Sequence, residues 1–245
     1  MSAACGRLFG IGVGPGPRGL LPVAAVEALS GAAVIYLPRA RSAELSIARQ
    51  CLKGLDVPPA RLREIEFAME PDRTVLRAHY AALAGEIVVE LEAGRDVAYL
   101  TLGDPMTYST YGYTLAALRD RLPALRVTTI PGVTSFAAAA AAMSWPIGEG
   151  KERVLILPCP DHMGSLRQDI ESHDVVILMK IGKRLPMVLR VLRDMGIGSH
   201  CALASRIGLP GETLCSDVGA LQDDAALGYL STMLIRRCER KKRHQ

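Results

Sequence analysis

The sequence predicts an α/β protein in two domains, and three features carry that prediction. Short β-branched and apolar runs alternate with longer stretches of helical period, the rhythm of mainly parallel α/β sheets. Several of the runs end in turns rich in glycine and proline. The regular alternation is broken at Pro131-Gly132, ahead of an alanine-rich stretch. An N-terminal α/β domain is therefore expected over residues 1–130 and a C-terminal α/β domain over 131–235. The basic stretch 236–245 is expected to form a disordered tail.

In the first domain, strands are expected over 7–12, 33–37, 61–66, 96–101 and 127–130, and in the second over 153–157, 174–179, 201–205 and 228–236. Helices are expected over 20–29, 42–51, 74–93, 111–121, 134–143, 163–172 and 185–195, where apolar residues recur at spacings of three and four. Leu185, Val188, Leu189 and Leu192 give the last of these a core-facing stripe. Irregular segments at 158–160, 208–211 and 213–227 separate the later strands, which points to a mixed sheet in the second domain.

Composition narrows the function classes. The 245 residues are 49% hydrophobic and 22% charged, with a formal net charge of +4. There are 32 alanines but only 4% aromatics, a balance that favours closely packed helices over stacking platforms for single-stranded nucleic acid. No apolar run approaches the ~18 residues of a membrane span. The first residues lack a basic flank followed by an apolar core, so no signal peptide is read and a cytoplasmic protein is expected. The cysteines at 5, 51, 159, 201, 215 and 238 have neither paired nor metal-ligand spacing and read as reduced thiols, with no metal site. Gly-x-Ser-x-Gly and the P-loop are absent, and the histidines are scattered through polar contexts, so triad or zinc hydrolysis is poorly supported.

Three strand-end turns carry the candidate chemistry. Gly10-Ile11-Gly12-Val13-Gly14-Pro15-Gly16-Pro17-Arg18-Gly19 leaves room for close ligand approach. Pro15 and Pro17 remove amide donors that a pyrophosphate would need, and the second strand ends in Pro38-Arg39 where a dinucleotide site wants an acid. Gly103-Asp104-Pro105-Met106-Thr107-Tyr108-Ser109-Thr110 places a carboxylate and four hydroxyls before a helix. It reads either as a ligand turn or as an Asp-Pro turn capped by Ser109 or Thr110. Pro131-Gly132-Val133-Thr134-Ser135 can cap its helix or offer its free amides to a carboxylate. Met179-Lys180 closes a further strand, where the thioether can lie against an adenine or fill the core.

Taken together and in this order, the three turns resemble the tetrapyrrole methylase family of S-adenosylmethionine-dependent enzymes. Met179-Lys180, Gly208-Leu209-Pro210-Gly211-Glu212 and the strand Tyr229-Leu230-Ser231-Thr232-Met233-Leu234 extend the resemblance over nearly the whole chain. Within the family, the 103–110 turn and Gly150-Lys151-Glu152-Arg153 look most like the branch that methylates C20 of precorrin-2, with or without cobalt.

The resemblance implies a parallel N-terminal sheet with helices on both faces, a mixed C-terminal sheet, and a homodimer that binds the donor between its domains. It implies that Pro15 walls the donor site and that Gly103, Asp104 and Thr107 hold the methionine part, beside Ser109 and Thr110. Thr134 and Ser135 would touch the donor, and Met179, Ala204 and Ser205 would border the adenosine. Pro17 stands where the family's first loop carries an acid, so no role passes to that position. The acid that often precedes the second strand in relatives is also missing from Leu29-Ser30-Gly31-Ala32-Ala33.

The implied substrate carries eight carboxylates around a flat apolar ring, which calls for cations at the rim of an apolar trough. Arg39, Arg41, Lys183, Arg184 and Arg206 lie after strands and are the candidates; no general base is named. Two other readings stand beside this one. One is a family methylase acting at a different ring carbon or on diphthamide. The other is a nucleic-acid-binding module using the tail, although the principal reading expects neither nucleic acid nor membrane as a partner. The tail holds six Lys and Arg against one Glu, or +5, leaving the body at 4 − 5 = −1. Global basicity therefore says nothing about the substrate.

Overall fold

The computed structural model describes residues 4–16, 18–40, 46–67, 72–222 and 225–239, and the chain divides into two compact units, Met1–Thr134 and Ser135–Gln245. The division falls after Thr134, just beyond the Pro131-Gly132 turn.

The first unit is built on a five-stranded parallel sheet in the order β3-β2-β4-β1-β5. Its strands are β1 (Arg7–Gly12), β2 (Val34–Ala40), β3 (Leu62–Phe67), β4 (Val97–Thr101) and β5 (Arg126–Ile130). One face packs on α1 (Val23–Gly31) and the short α2 (Ile47–Gln50), through Ile11, Ile35, Leu37 and Leu100 against Ala25, Leu29, Ala48 and Leu52. The other face packs on α3 (Arg73–Glu92) and α4 (Tyr111–Arg121), through Leu8, Val97 and Tyr99 against Leu83, Ile87, Leu91, Tyr111 and Leu118. The all-parallel sheet is thus covered on both faces, as its apolar strands require.

The second unit carries a mixed sheet in the order β6-β7-β10-β8-β9. It consists of β6 (Val154–Pro158), β7 (Val175–Met179), β8 (Cys201–Ser205), β9 (Thr213–Cys215) and β10 (Ser231–Arg236). Only β6 and β7 pair in parallel. Helices α6 (Met163–Ser172) and α7 (Leu185–Asp194) cover one face, and the alanine-rich α5 (Ser135–Ala142) covers the other. Leu185, Val188, Leu189 and Leu192 are all buried in the α7 core.

Several boundaries differ from the sequence expectation for physical reasons. The first helix begins at Val23 rather than 20, because Pro22 is extended (φ −60°, ψ 145°) at its N-cap. Strand β2 runs on through Pro38 and Arg39 to Ala40. It pairs with β4 only over Val34–Tyr36, so the edge beyond has no partner and tolerates proline. The last strand starts at Ser231, since Leu230 turns through φ 51°. Strand β9 lies inside the stretch read as irregular; three residues are too few to show a period. Arg236, which the sequence reading placed both at the end of the last strand and at the start of the basic tail, closes β10 and is buried. It pairs with Glu152, donates to Pro146 O at 3.0 Å and lies 5.1 Å from the Trp145 ring. Arg237 is tied to Glu171 O at 2.8 Å and to Asp174 at 3.3 Å. Residues 240–245 lie outside the described residues.

Candidate functional site

In the first unit, chain connections diverge between β4 and β1. The chain leaves β1 for α1 on one face of the sheet and leaves β4 for α4 on the other. Open α/β sheets bind ligands at such a point, outside the carboxyl ends of the strands. All three turns singled out from the sequence open there, after β1, β4 and β5.

Backbone contacts hold the three turns together. Val13 N donates to Thr101 O at 2.9 Å, and Gly14 and Gly103 exchange hydrogen bonds of 3.2 and 2.8 Å, carrying the pairing beyond the strand ends. A Cβ on Gly12 would sit 2.5 Å from Gly132 N and 2.7 Å from Gly103 O. One on Gly132 would sit 2.1 Å from Gly103 O. Neither position accepts a side chain, so these glycines are what lets three backbones meet.

Asp104 closes the cluster. Its Oδ1 accepts from Met106 N at 2.9 Å and from Thr107 Oγ1 at 3.0 Å, and its Oδ2 accepts from Gly132 N at 3.1 Å, bridging the second turn to the third. A carboxylate offers about four lone-pair directions, so one remains.

The other polar side chains of the 103–110 turn are also engaged. Ser109 Oγ donates to Pro105 O and accepts from Tyr111 N at 3.2 Å, the capping role. Thr110 Oγ1 lies 3.2 Å from the buried Tyr99 hydroxyl. Tyr111 reaches over Gly10 to Thr129 on β5, its hydroxyl 3.0 Å from Thr129 Oγ1. Burial raises the pKa of both phenols, which keeps them neutral hydrogen-bonding groups. Of the donor contacts implied by resemblance, Thr107, Ser109 and Thr110 each hold a partner within the first unit. Pro15 is buried beside Gly14. The exposed side chains of the turn are Met106 and Tyr108, the latter at φ 49°. Pro17 and Arg41 fall outside the described residues.

Sequence reasoning missed Thr101. Its hydroxyl is buried at the end of β4, in register with Gly12, and has no hydrogen-bond partner. Buried polar groups are rarely left unpaired, so the orphan marks a place for a ligand atom or a water. Sequence alone offers no signal for it, because a threonine ending a strand is ordinary.

In the second unit, the remaining candidates sit at one end of the sheet, where β7 and β8 finish and β10 begins. Met179 is half-buried and its carbonyl accepts from Cys159 N at 2.7 Å. Burial pushes the Cys159 thiol up to about 11. Ala204 and Ser205 are buried, and Ser205 Oγ donates to Tyr229 O at 3.2 Å, so only the edge of this segment is available. Ser135 Oγ lies 2.9 Å from Thr232 Oγ1, holding the start of α5 on β10. Thr134 ends the first unit. Lys180, Arg206 and Leu230 adopt left-handed backbone (φ 53°, 53° and 51°) around this sheet end, and such strain in bulky residues gathers at functional sites.

The basic candidates separate. Arg39 is paired with Glu64 at 3.4 Å and Glu66 at 3.1 Å. Arg184 is paired with Asp161 at 2.6 Å and donates to the carbonyl of Lys180. Lys183 is exposed, and Arg206 donates from Nε to Pro210 O at 2.8 Å. Among the described residues there is no His, Cys, Asp and Glu grouping that could hold a metal ion, and no helix long and apolar enough to cross a membrane.

A parallel α/β unit with a glycine-built mouth at its switch point, followed by a unit on a mixed sheet, defines a two-unit α/β protein with a candidate small-ligand site. The chain belongs to the tetrapyrrole (corrin/porphyrin) methylase family, whose model matches residues 7–221. It is 30% identical over 230 residues to the cobalt-precorrin-2 C20-methyltransferase of Salmonella typhimurium, covering 94% of this chain and 96% of that protein. To the precorrin-2 C20-methyltransferase of a Sinorhizobium species it is 27% identical over 238 residues, covering 94% and 95%. In fold it matches a cobalt-precorrin-4 methyltransferase at a TM-score of 0.71 and 19% identity, covering 94% of each chain. It also matches uroporphyrin-III C-methyltransferase from Thermus thermophilus, solved with S-adenosylhomocysteine, at 0.61 and 18%, covering 94% and 97%.

Proposed function

We propose that this protein transfers a methyl group from S-adenosylmethionine to C20 of precorrin-2, metal-free or cobalt-bearing, in cobalamin biosynthesis. The supporting observation is the family match over residues 7–221 together with relatives of that activity spanning 94% of the chain. The relatives are named for both cobalt-precorrin-2 and precorrin-2.

The first-unit mouth suits the amino-acid end of the donor. The glycines at 12 and 132 let the three turns close on one another, Thr101 offers a buried hydroxyl with no partner, and the remaining lone pair of Asp104 suits an ammonium. Pro15 would wall that end, Gly103 and Thr107 would hold it with Asp104, and Thr134 and Ser135 would touch the donor. Met179, Ala204 and Ser205 remain the proposed adenosine contacts on the second unit.

S-adenosylmethionine supplies a sulfonium leaving group and an electrophilic methyl. What the protein must add is alignment and exclusion of water, effects that together can account for ~7–11 kcal/mol of barrier. The new C20–methyl bond forms as the methyl–sulfur bond breaks, releasing S-adenosylhomocysteine, and the methylated carbon then loses its proton; no side chain is assigned as the base for that loss.

A cytoplasmic homodimer is part of the same reading. Light scattering tests the dimer, with a monomeric mass refuting it. The activity is tested by incubating labelled donor with precorrin-2, with and without cobalt, and locating the methyl by mass and NMR. Label at C20 is expected; label at another ring carbon, or none, overturns the assignment.

A further inference from the structure

We infer that Arg206 is the residue of the second unit that grips a carboxylate of the tetrapyrrole, aimed by the 208–212 turn. The inference rests on the proposed tetrapyrrole substrate and names a specificity contact within it.

Of the basic candidates, Arg39 and Arg184 already have carboxylate partners, and Lys183 is an exposed point charge. Arg206 differs in three respects. First, its backbone holds φ 53°, a conformation that glycine adopts without strain and a long side chain does not. Second, its Nε donates to Pro210 O at 2.8 Å while its side chain passes Gly211, where a Cβ would stand 3.5 Å from Nε; the plane of the guanidinium is thereby set. Third, among the described residues no carboxylate lies within ion-pair distance of it and none accepts from its two terminal nitrogens, which carry four of its five donors. A fork fixed at one corner and open at the other two matches bidentate carboxylate recognition.

This gives the Gly208-Leu209-Pro210-Gly211-Glu212 motif a task. Leu209 N donates to Arg206 O at 2.9 Å, Glu212 N donates to Leu209 O at 3.1 Å, and the Glu212 carboxylate accepts from Gly208 N. The turn closes on itself and presents the Pro210 carbonyl to the arginine. Lys180, also left-handed, ends β7 two strands away, about 10 Å across β10, so this sheet end presents two cations.

The test compares wild type with Arg206→Gln, which keeps a donor for Pro210 O but loses charge and fork, and Arg206→Lys, which keeps charge alone. Binding of uroporphyrin, a stable octacarboxylate, is followed by fluorescence, S-adenosylhomocysteine binding by calorimetry, and stability by thermal melting. Uroporphyrin affinity is expected to fall about tenfold in Arg206→Gln, equivalent to about 1.4 kcal/mol, and less in Arg206→Lys, with donor-analogue binding and melting unchanged. Wild-type-like uroporphyrin affinity in Arg206→Gln, no uroporphyrin binding by wild type, or a melting loss without an affinity loss would each overturn the inference. Methyl transfer at a carbon other than C20 would refute the proposed activity while leaving the Arg206 result standing.

Discussion

Replacing Asp104 by asparagine separates two roles that one carboxylate can serve. In the structure it is a clamp, accepting from Met106 N, Thr107 Oγ1 and Gly132 N. An amide keeps one acceptor oxygen, so whichever way it turns, its NH2 faces at least one of these donors. Losing one charge-assisted bond and leaving an N–H without an acceptor costs about 2 kcal/mol. At roughly 2–4 °C per kcal/mol for a chain of this size, melting should fall by about 4–8 °C. Amide exchange should quicken at residues 132–134, and S-adenosylhomocysteine affinity should weaken as the third turn loosens. Calorimetry and exchange on wild type and Asp104→Asn read all three effects. Unchanged melting and exchange, with affinity still reduced, would show that the carboxylate acts on the ligand alone and refute the clamp.

Three further outcomes follow from the packing. Gly12→Ala would place a methyl 2.5 Å from Gly132 N and should cost about 3 kcal/mol or more in urea unfolding; a cost under about 1 kcal/mol would show that the turns can part. Arg236→Gln breaks the pair of buried Arg236 with half-buried Glu152 and should lower the unfolding free energy of the second unit by about 3 kcal/mol, read by Trp145, the single tryptophan; an unchanged unfolding free energy would refute a structural role for this pair. Burial holds the thiols of Cys51 and Cys159 up at about 11 and Cys201 at about 12, against an ordinary 9.0. The unfolded chain loses these protons first, so stability is intact below about pH 9 and falls as pH rises toward 11–12, by about 1.4 kcal/mol per thiol at pH 10. Cys201→Ala should lose less stability between pH 8 and 10 than wild type, and parallel losses would count against the assignment.

Long elements with a clear period were legible in the sequence. The apolar stripe of α7 and the starts of β1, α4 and α6 follow from spacing alone, because burial of one face dictates them. Short or context-dependent features were not: β9 exists only because β8 offers an edge, and β2 continues through Pro38 only because β4 has stopped pairing there. The three turns could be located from glycine, proline and hydroxyl content, but not how their polar atoms are used. A serine before a helix looks alike whether it caps or binds, and partners of Thr110 such as Tyr99 are set by tertiary packing. Thr101 and the free fork of Arg206 are properties of what surrounds them, which no local pattern encodes.

The first-unit mouth is made mainly of peptide backbone, with Gly12, Gly14, Gly103 and Gly132 in mutual contact or hydrogen-bonded to one another. A socket of this kind is indifferent to most side-chain replacement around it and intolerant of inserting or deleting a single residue, which would shift its amides out of register. Redesign toward another acceptor therefore belongs in the side chains of the second-unit turns around 180–184 and 206–212, where the proposed recognition rests on removable atoms rather than on the main chain.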